Sequence, residues 1–236
     1  MAVVPGRGDG LKPVPRGTNF EAMSAEELLR WAHEEFDDRL CLTCSWQRQS
    51  SALVHMVSEL GLDVDVVELD TLVLFPETYA TRDQLVGRYD LKLKSFRPID
   101  PIDRLWETDP DRCCGIRKVE PLERALAGYD AWITGIRREQ SPSRANAQKV
   151  EWSERYGVWK IQPLVDWSSK RVDAYLTVNE VPYNPLHDRG YPSIGCIHCT
   201  RPVAAGEDER SGRWAGSGKL ECGIHVNAPL IKESND

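Results

Sequence analysis

Between Gly195 and His225 the chain carries Cys196-Ile-His-Cys199, then Glu207-Asp-Glu-Arg210-Ser-Gly-Arg213-Trp, then Lys219-Leu-Glu-Cys222-Gly-Ile-His225. Two thiols separated by two residues suit a metal, and a soft tetrahedral site asks for two more. Far upstream, the adjacent Cys113 and Cys114 form the tight pair able to supply them. A fold for this chain must then bring the two pairs together and leave Cys222 as a lone thiol beside cations.

The seven cysteines are an odd number, and residues 1–20 hold Pro, Gly and Arg without an apolar stretch. This predicts a cytoplasmic protein whose thiols serve metal or nucleophilic chemistry rather than disulfides. No apolar run reaches the length of a membrane span. The net charge of -7 argues against nucleic-acid binding, which needs a basic footprint. Arg and Lys nevertheless gather around the cysteine motifs, as a small anionic ligand would require. The 236 residues, 41% of them hydrophobic, suit one α/β domain over residues 21–205. A flexible arm, residues 1–20, would precede it, and a mobile C-terminal catalytic tail, residues 206–236, would follow.

Ser24-Ala-Glu-Glu27 reads as a capping box opening a helix whose Leu28, Trp31, Ala32 and Phe36 share a face. Arg39–Cys44 suits a first buried strand, and Ser50–Leu60 a helix stopped by Gly61. Val64–Leu69 is a second strand, Pro76 opens a helix to Tyr89, and Leu91–Phe96 alternates like a strand with one wet face. Asp109-Pro110 caps a helix that carries Cys113 and Cys114 in its first turns and ends near Gly128. Tyr129–Thr134 and Val158–Leu164 are extended, Ser168–Val178 is helical, and Tyr183–Ser193 is a loop. Strands alternating with helices predict a mostly parallel sheet flanked by helices, with ligands bound past the strand carboxyl ends. Ser45, Asp70 and Gly135 fall at such ends.

Vicinal Cys113 and Cys114 would strain a single tetrahedral zinc, whereas a 4Fe-4S cube gives each thiolate its own iron. On spacing, cluster, zinc and no metal all stay open. Lys118, one turn beyond Cys114, either adds positive charge beside the thiolates or is a solvated helix lysine. Cys41 and Cys44 point to opposite faces of a strand, which suits packing better than a redox pair. Cys222 has Lys219, Arg213 and His225 as cationic or polar neighbours, so it is either a nucleophile toward an anion or an unused exposed thiol. Arg137, Arg138, Arg144, Arg210 and Arg213 have the forked donors that clamp phosphate or sulfate. His33, His55, His187 and His198 have no spacing that forces a role.

Together these motifs, with Thr43-Cys-Ser45, Leu69-Asp70-Thr71, Phe75-Pro-Glu-Thr-Tyr79 and Ile133-Thr-Gly135-Ile-Arg137-Arg138-Glu-Gln140-Ser141, resemble the cluster-containing adenosine 5'-phosphosulfate (APS) reductases of assimilatory sulfate reduction. The resemblance spans Leu40 to His225. It implies a Rossmann-like fold of the adenine-nucleotide-binding ATP pyrophosphatase type, and a 4Fe-4S cluster on Cys113, Cys114, Cys196 and Cys199. It implies further that Cys222 attacks the substrate sulfur, that AMP leaves, and that thioredoxin releases sulfite from the S-sulfocysteine. By the same resemblance Arg144, Arg210, Arg213 and His225 contact the phosphosulfate, Lys118 tunes the site, and Ser45 and Gly135 belong to the adenylyl site. Relatives often carry Ser-Phe-Gly-Ala-Glu-Asp where this chain has Ser45-Trp-Gln-Arg-Gln-Ser50, so bulky Trp46 and Gln47 are expected to alter the nucleotide loop. Arg48 is the residue that would accept the extra phosphate of the 3'-phosphorylated substrate, PAPS. Three alternatives stand beside APS reduction: a PAPS reductase, a dual-substrate enzyme, and a zinc-stapled nucleotide-binding module with Cys222 idle. Assembly into a homo-oligomer is left open.

Overall fold

The computed structural model describes residues 17–100, 103–204, 206–215, 219 and 221–225. Most of the expected arm and parts of the expected tail lie outside the described residues. The chain enters through Phe20, whose ring meets Trp31 at 4.5 Å. Helix α1, Ala25–Phe36, then opens with the capping box in place: Ser24 Oγ accepts from the Glu27 N–H, and the Glu27 carboxylate accepts from the Ser24 N–H. Such a cap is worth about 1 kcal/mol.

Strand β1, Leu40–Cys44, leads into helix α2, Arg48–Glu59, and strand β2, Asp65–Leu69, into helix α3, Pro76–Tyr89. After strand β3, Leu93–Phe96, come the short helices α4, Leu105–Thr108, and α5, Pro110–Cys114. A π-turn, Gly115–Val119, joins α5 to helix α6, Glu120–Leu126. Strand β4, Ala131–Ile133, is followed by β5, Val150–Ser153, β6, Val158–Ile161, and helix α7, Ser169–Val178, which Ser168 caps.

The six strands lie in the order β3-β2-β1-β4-β6-β5, parallel except for β5 at one edge. The sequence reading did not anticipate β5, whose Val-Glu-Trp-Ser alternates apolar and polar residues over only four positions. Its pairing with β6, Val150 opposite Ile161 through Ser153 opposite Val158, is the only antiparallel ladder among the named strands of the described residues. β3 is the other edge, and it is wetter than a clean alternation, with both Lys94 and Ser95 exposed.

One face of the sheet is covered by α1, α2 and α7, burying Leu28, Leu42, Leu53, Ile133 and Leu176 in a single cluster. The other is covered by α6, burying Val67, Leu122, Leu126 and Trp132. Cys44 packs in the first cluster and Cys41 in the second, as opposite-facing strand positions require. Burial raises the Cys41 thiol and pushes Cys44 up to about 12, so both are inert neutral side chains. The connection after β1 runs toward β2, and the one after β3 returns to the far side of β1 as β4. The strand order therefore switches between β1 and β4, and a crevice opens past their carboxyl ends. Among the described residues no helix is long and apolar enough to cross a membrane.

Candidate active site

The floor of this crevice is the turn from β1 into α2. Ser50 Oγ accepts from the Ser45 N–H at 3.2 Å and lies 3.0 Å from Ser45 Oγ, which folds the loop back on the first turn of the helix. Thr43 Oγ1 donates to the Ile133 carbonyl at 3.1 Å, tying the ends of β1 and β4. Gly135 follows β4, and a Cβ there would come within 2.8 Å of Gln49 Cγ. The backbone past β4 can lie against α2 only without a side chain.

Trp46 does not crowd the cleft as its bulk suggests. It adopts φ 57°, is 1% exposed, and donates its indole N–H to the buried Glu68 at 2.8 Å. The ring forms wall, not occupant. Gln47 reaches sideways, its amide oxygen accepting from the Ile194 N–H at 2.8 Å, and so joins the nucleotide-type loop to the segment that delivers Cys196. Arg48 turns away, held by Asp173 and Asp188 and lying 5.2 Å over the Tyr183 ring. It is not among the residues that line the cleft. Asp70, at the end of β2, is also turned from the cleft; it accepts from the Leu72 N–H, the Tyr79 hydroxyl and Arg97.

The cleft continues from Ser45 and Gly135 to a cationic end where Lys118, Arg144, Arg210, Arg213, Cys222 and His225 meet. Ser45, Gly135, Lys118, Arg137, Arg144, Arg210, Arg213, Cys222 and His225 thus line one space, whereas Arg138, like Arg48 and Asp70, does not: it donates to the Ala147 carbonyl and to Glu21. Arg213 is only 7% exposed and donates to Ser193 Oγ and the Ile194 carbonyl, each at 3.3 Å. Residues 199–201 and 212–214 run side by side, with Arg201 N–H on the Gly212 carbonyl and Trp214 N–H on the Cys199 carbonyl. This short pairing fixes the arginine segment to the second cysteine pair.

His225 stacks on Trp132 at 5.6 Å, and its Nδ1 is buried with no hydrogen-bond partner among the described residues. Burial, with Lys160, Arg144 and Arg210 nearby, holds it well below the ordinary histidine range, so the ring is neutral. Cys222 is half-buried. Burial raises its thiol, but Lys118, the Ile224 backbone N–H and Arg213 outweigh that and leave it below the ordinary value. Gly223 follows at φ 90°, a left-handed conformation that favours glycine, and its carbonyl accepts from Arg155 at 3.1 Å.

Lys118 also faces a second, smaller cavity lined by Cys113, Cys114, Cys196 and Cys199. The π-turn lies between the vicinal cysteines and α6, where one extra residue re-aims Arg117 and Lys118 relative to a regular helix. Arg117 is buried, donates to the Thr71 carbonyl at 2.7 Å and sits 5.8 Å over Trp106. Trp106 stacks on His198 at 4.0 Å, with the rings parallel, along the cavity wall. Cys196 Sγ donates to Thr71 Oγ1 at 3.3 Å. Burial raises Cys113 and Cys199 and pushes Cys114 up to about 11.

All seven cysteines are free of disulfides. Among the described residues no three Cys, His, Asp or Glu side chains converge as one metal ion demands. Four thiols around a shared cavity, two of them vicinal, match the donor chemistry of a multi-iron group better than that of a single zinc.

Sequence reasoning overlooked Arg117, Thr71, Trp106, Trp214, Arg155 and Glu221. Thr71 and Trp214 lie inside quoted motifs without having been given a role of their own, whereas Arg117 and Trp106 lie in stretches that looked like ordinary helix or loop. Glu221 stood in plain view beside Cys222 but has meaning only once Arg144, 77 residues away, is brought to it.

A mostly parallel sheet whose switch-point crevice holds a helix-start loop at one end and a cationic, thiol-bearing end at the other defines an ATP pyrophosphatase-like fold. Residues 39–202 match the phosphoadenosine phosphosulfate reductase domain. The chain is 44% identical over 87% of its length to an adenosine 5'-phosphosulfate reductase of Halalkalibacterium halodurans, 93% of which is covered. It is also 44% identical to a phosphoadenosine 5'-phosphosulfate reductase of Gloeobacter violaceus, over 88% of this chain and 90% of that one. Among solved structures, a phosphoadenylyl-sulfate (PAPS) reductase from Candida auris in complex with phosphate superposes with TM-score 0.70, 34% identity, and coverage of 78% and 93%. The chain belongs to the phosphoadenosine phosphosulfate reductase family.

Proposed function

We propose that this protein is a cytoplasmic APS reductase that uses thioredoxin as its reductant and works through a sulfonated Cys222. The observation that carries this reading is the single cleft that runs from Ser45 and Gly135 to Cys222, with Lys118, Arg144, Arg210, Arg213 and His225 around the thiol. The adenylyl part would lie over the β1–α2 turn and the phosphosulfate among the cations. The Cys222 thiolate attacks the sulfuryl sulfur, a new S–S bond forms, and the sulfur–oxygen bond to phosphate breaks. AMP leaves with the bonding pair, stabilised by the arginines. A thioredoxin thiolate then attacks Cys222 Sγ and expels sulfite. The second thioredoxin thiol resolves the mixed disulfide, so thioredoxin supplies both electrons.

Cys113, Cys114, Cys196 and Cys199 would hold a 4Fe-4S cluster, which supplies a fixed electrostatic environment next to Lys118 rather than electrons. Arg117 and Lys118 add positive charge beside the four cysteines, and Thr71 Oγ1 lies 3.3 Å from Cys196 Sγ.

APS is favoured over PAPS because Arg48, the candidate for a second phosphate, is committed to Asp173 and Asp188 outside the cleft. The names carried by the Gloeobacter and Candida relatives make PAPS the competing substrate. Incubating anaerobically purified protein with APS or PAPS, without thioredoxin, tests the reading. The expected result is a gain of one SO3 group on Cys222 with APS and its absence in Cys222→Ser; no adduct with either nucleotide would reject the assignment. Iron and labile sulfide measured on the same sample test the cluster, and zinc at one per chain would replace it.

A further inference from the structure

The Glu221 carboxylate sits in a nest of donors that a side chain rarely gathers. It accepts from Arg144 Nε at 3.0 Å and Nη2 at 2.9 Å, and from Arg210 Nη2 at 3.0 Å. Ser143 Oγ at 3.2 Å and Ser141 Oγ at 3.4 Å complete the set. Two guanidinium forks and two hydroxyls around one small anion are what a phosphate or sulfonate recruits. The arrangement is largely dry, with side-chain exposures of 11% for Arg144, 13% for Arg210 and 16% for Glu221. Burial and the neighbouring Arg144 push Arg210 down to about 10 even with Glu221 beside it, so the pair calls for an anion at all times.

Glu221 is also bonded through the chain to Cys222. An anion that takes its place among Arg144, Arg210, Ser141 and Ser143 must move the peptide that carries the thiol. We propose that Glu221 is a built-in stand-in for the substrate's anionic group, occupying the Arg144–Arg210 receptor when the cleft is empty and exchanging with the incoming phosphosulfate. Binding and tail movement are thereby one event. When the leaving phosphate departs, the carboxylate returns and displaces it. The inference rests on the reading above only for the identity of the anion; the exchange itself requires only an anionic group that fits among Arg144, Arg210, Ser141 and Ser143. Glu221 acts here as a positioning residue.

The test uses full-length, cluster-loaded protein and inorganic pyrophosphate as the probe. Pyrophosphate affinity and hydrogen exchange of the peptide containing Glu221 and Cys222 are measured in the wild type, Glu221→Gln and Glu221→Asp. Expected are binding about tenfold tighter in Glu221→Gln, the scale of a typical coupling between competing sites, and near-wild-type binding in Glu221→Asp. Pyrophosphate should speed exchange of the tail peptide in the wild type and leave it unchanged in Glu221→Gln, where the tail is already released. Equal or weaker binding in Glu221→Gln, or no binding in any of the three, would overturn the proposal and reduce Glu221 to a structural stay. Sulfonation of Cys222 by APS is scored separately. Exchange behaviour as expected with no sulfonation would leave this inference standing and reject the assigned reaction.

Discussion

A methyl group placed on Gly195 would lie 2.1 Å from Arg213 Nη2. The residue before Cys196 is thus bare because the Arg213 guanidinium crosses it to reach Ser193 and Ile194. Gly195→Ala must push out a buried cation that lines the cleft. Moving the end of a flexible side chain puts this at the low end of overpacking, about 1 kcal/mol, and in the reaction proposed above loss of one well-placed charge costs on the order of 100-fold in turnover. Urea unfolding and steady-state sulfite release should show both. A variant with wild-type turnover would mean that the position of Arg213 is immaterial to the chemistry.

The Trp46 ring forms part of the cleft wall, and its indole N–H is turned inward to the buried Glu68. Trp46→Phe should lower unfolding free energy by about 1–3 kcal/mol, because a buried carboxylate loses a donor. Cys222 sulfonation should persist in the variant. Ser95, 2.5 Å from Glu68, keeps part of the network. Adding Glu68→Gln to Trp46→Phe should cost less than the sum of the two single changes. A selective loss of nucleotide binding with unchanged stability would mean that the ring contacts the nucleotide rather than holding the wall.

Trp46 also marks where the sequence stopped being readable. Local signals carried far: the capping box at Ser24, Pro76 opening α3, Asp109 capping α5, and opposite faces for Cys41 and Cys44 all follow from spacing and side-chain chemistry within a few residues. The meeting of the two cysteine pairs around one cavity, and the place of Cys222 beside cations, were legible too from the spacing and residue types. The inward turn of Trp46, the outward pull on Arg48 and the grip of Arg144 on Glu221 were not. Each depends on a partner 22 to 140 residues away, and no local preference encodes such a partner. β5 was missed for a related reason: its alternation lasts only four residues, and what makes it a strand is its pairing with β6.

Arg48 gives a prediction about substrate choice. Its guanidinium bridges Asp173 on α7 and Asp188 in the Pro185–Arg189 turn. Arg48→Ala should therefore leave the ratio of kcat/KM for APS and PAPS unchanged. Stability should fall by no more than about 1 kcal/mol, as expected for partly exposed ion pairs. A shift of the ratio by tenfold or more would place Arg48 at the nucleotide's ribose phosphate.

His187 predicts the acid limb of stability. It is 8% exposed, and its Nε2 accepts from the Arg48 N–H at 3.3 Å. Burial, aided by the Arg48 charge, lowers it from the ordinary 6.5 to about 4. The folded state thus binds fewer protons than the unfolded state between those values, and stability rises with pH across that window. The contribution is fully present above about 6.5 and is lost as pH falls toward 4, on the order of 3 kcal/mol for a change of this size. His55, lowered mainly by burial, acts in the same direction. Urea midpoints measured from pH 4 to 7 should climb steeply in the wild type. They should climb less in His187→Gln, which can still accept from Arg48 but cannot be protonated. Equal slopes in the two proteins would show that His187 titrates normally in the fold.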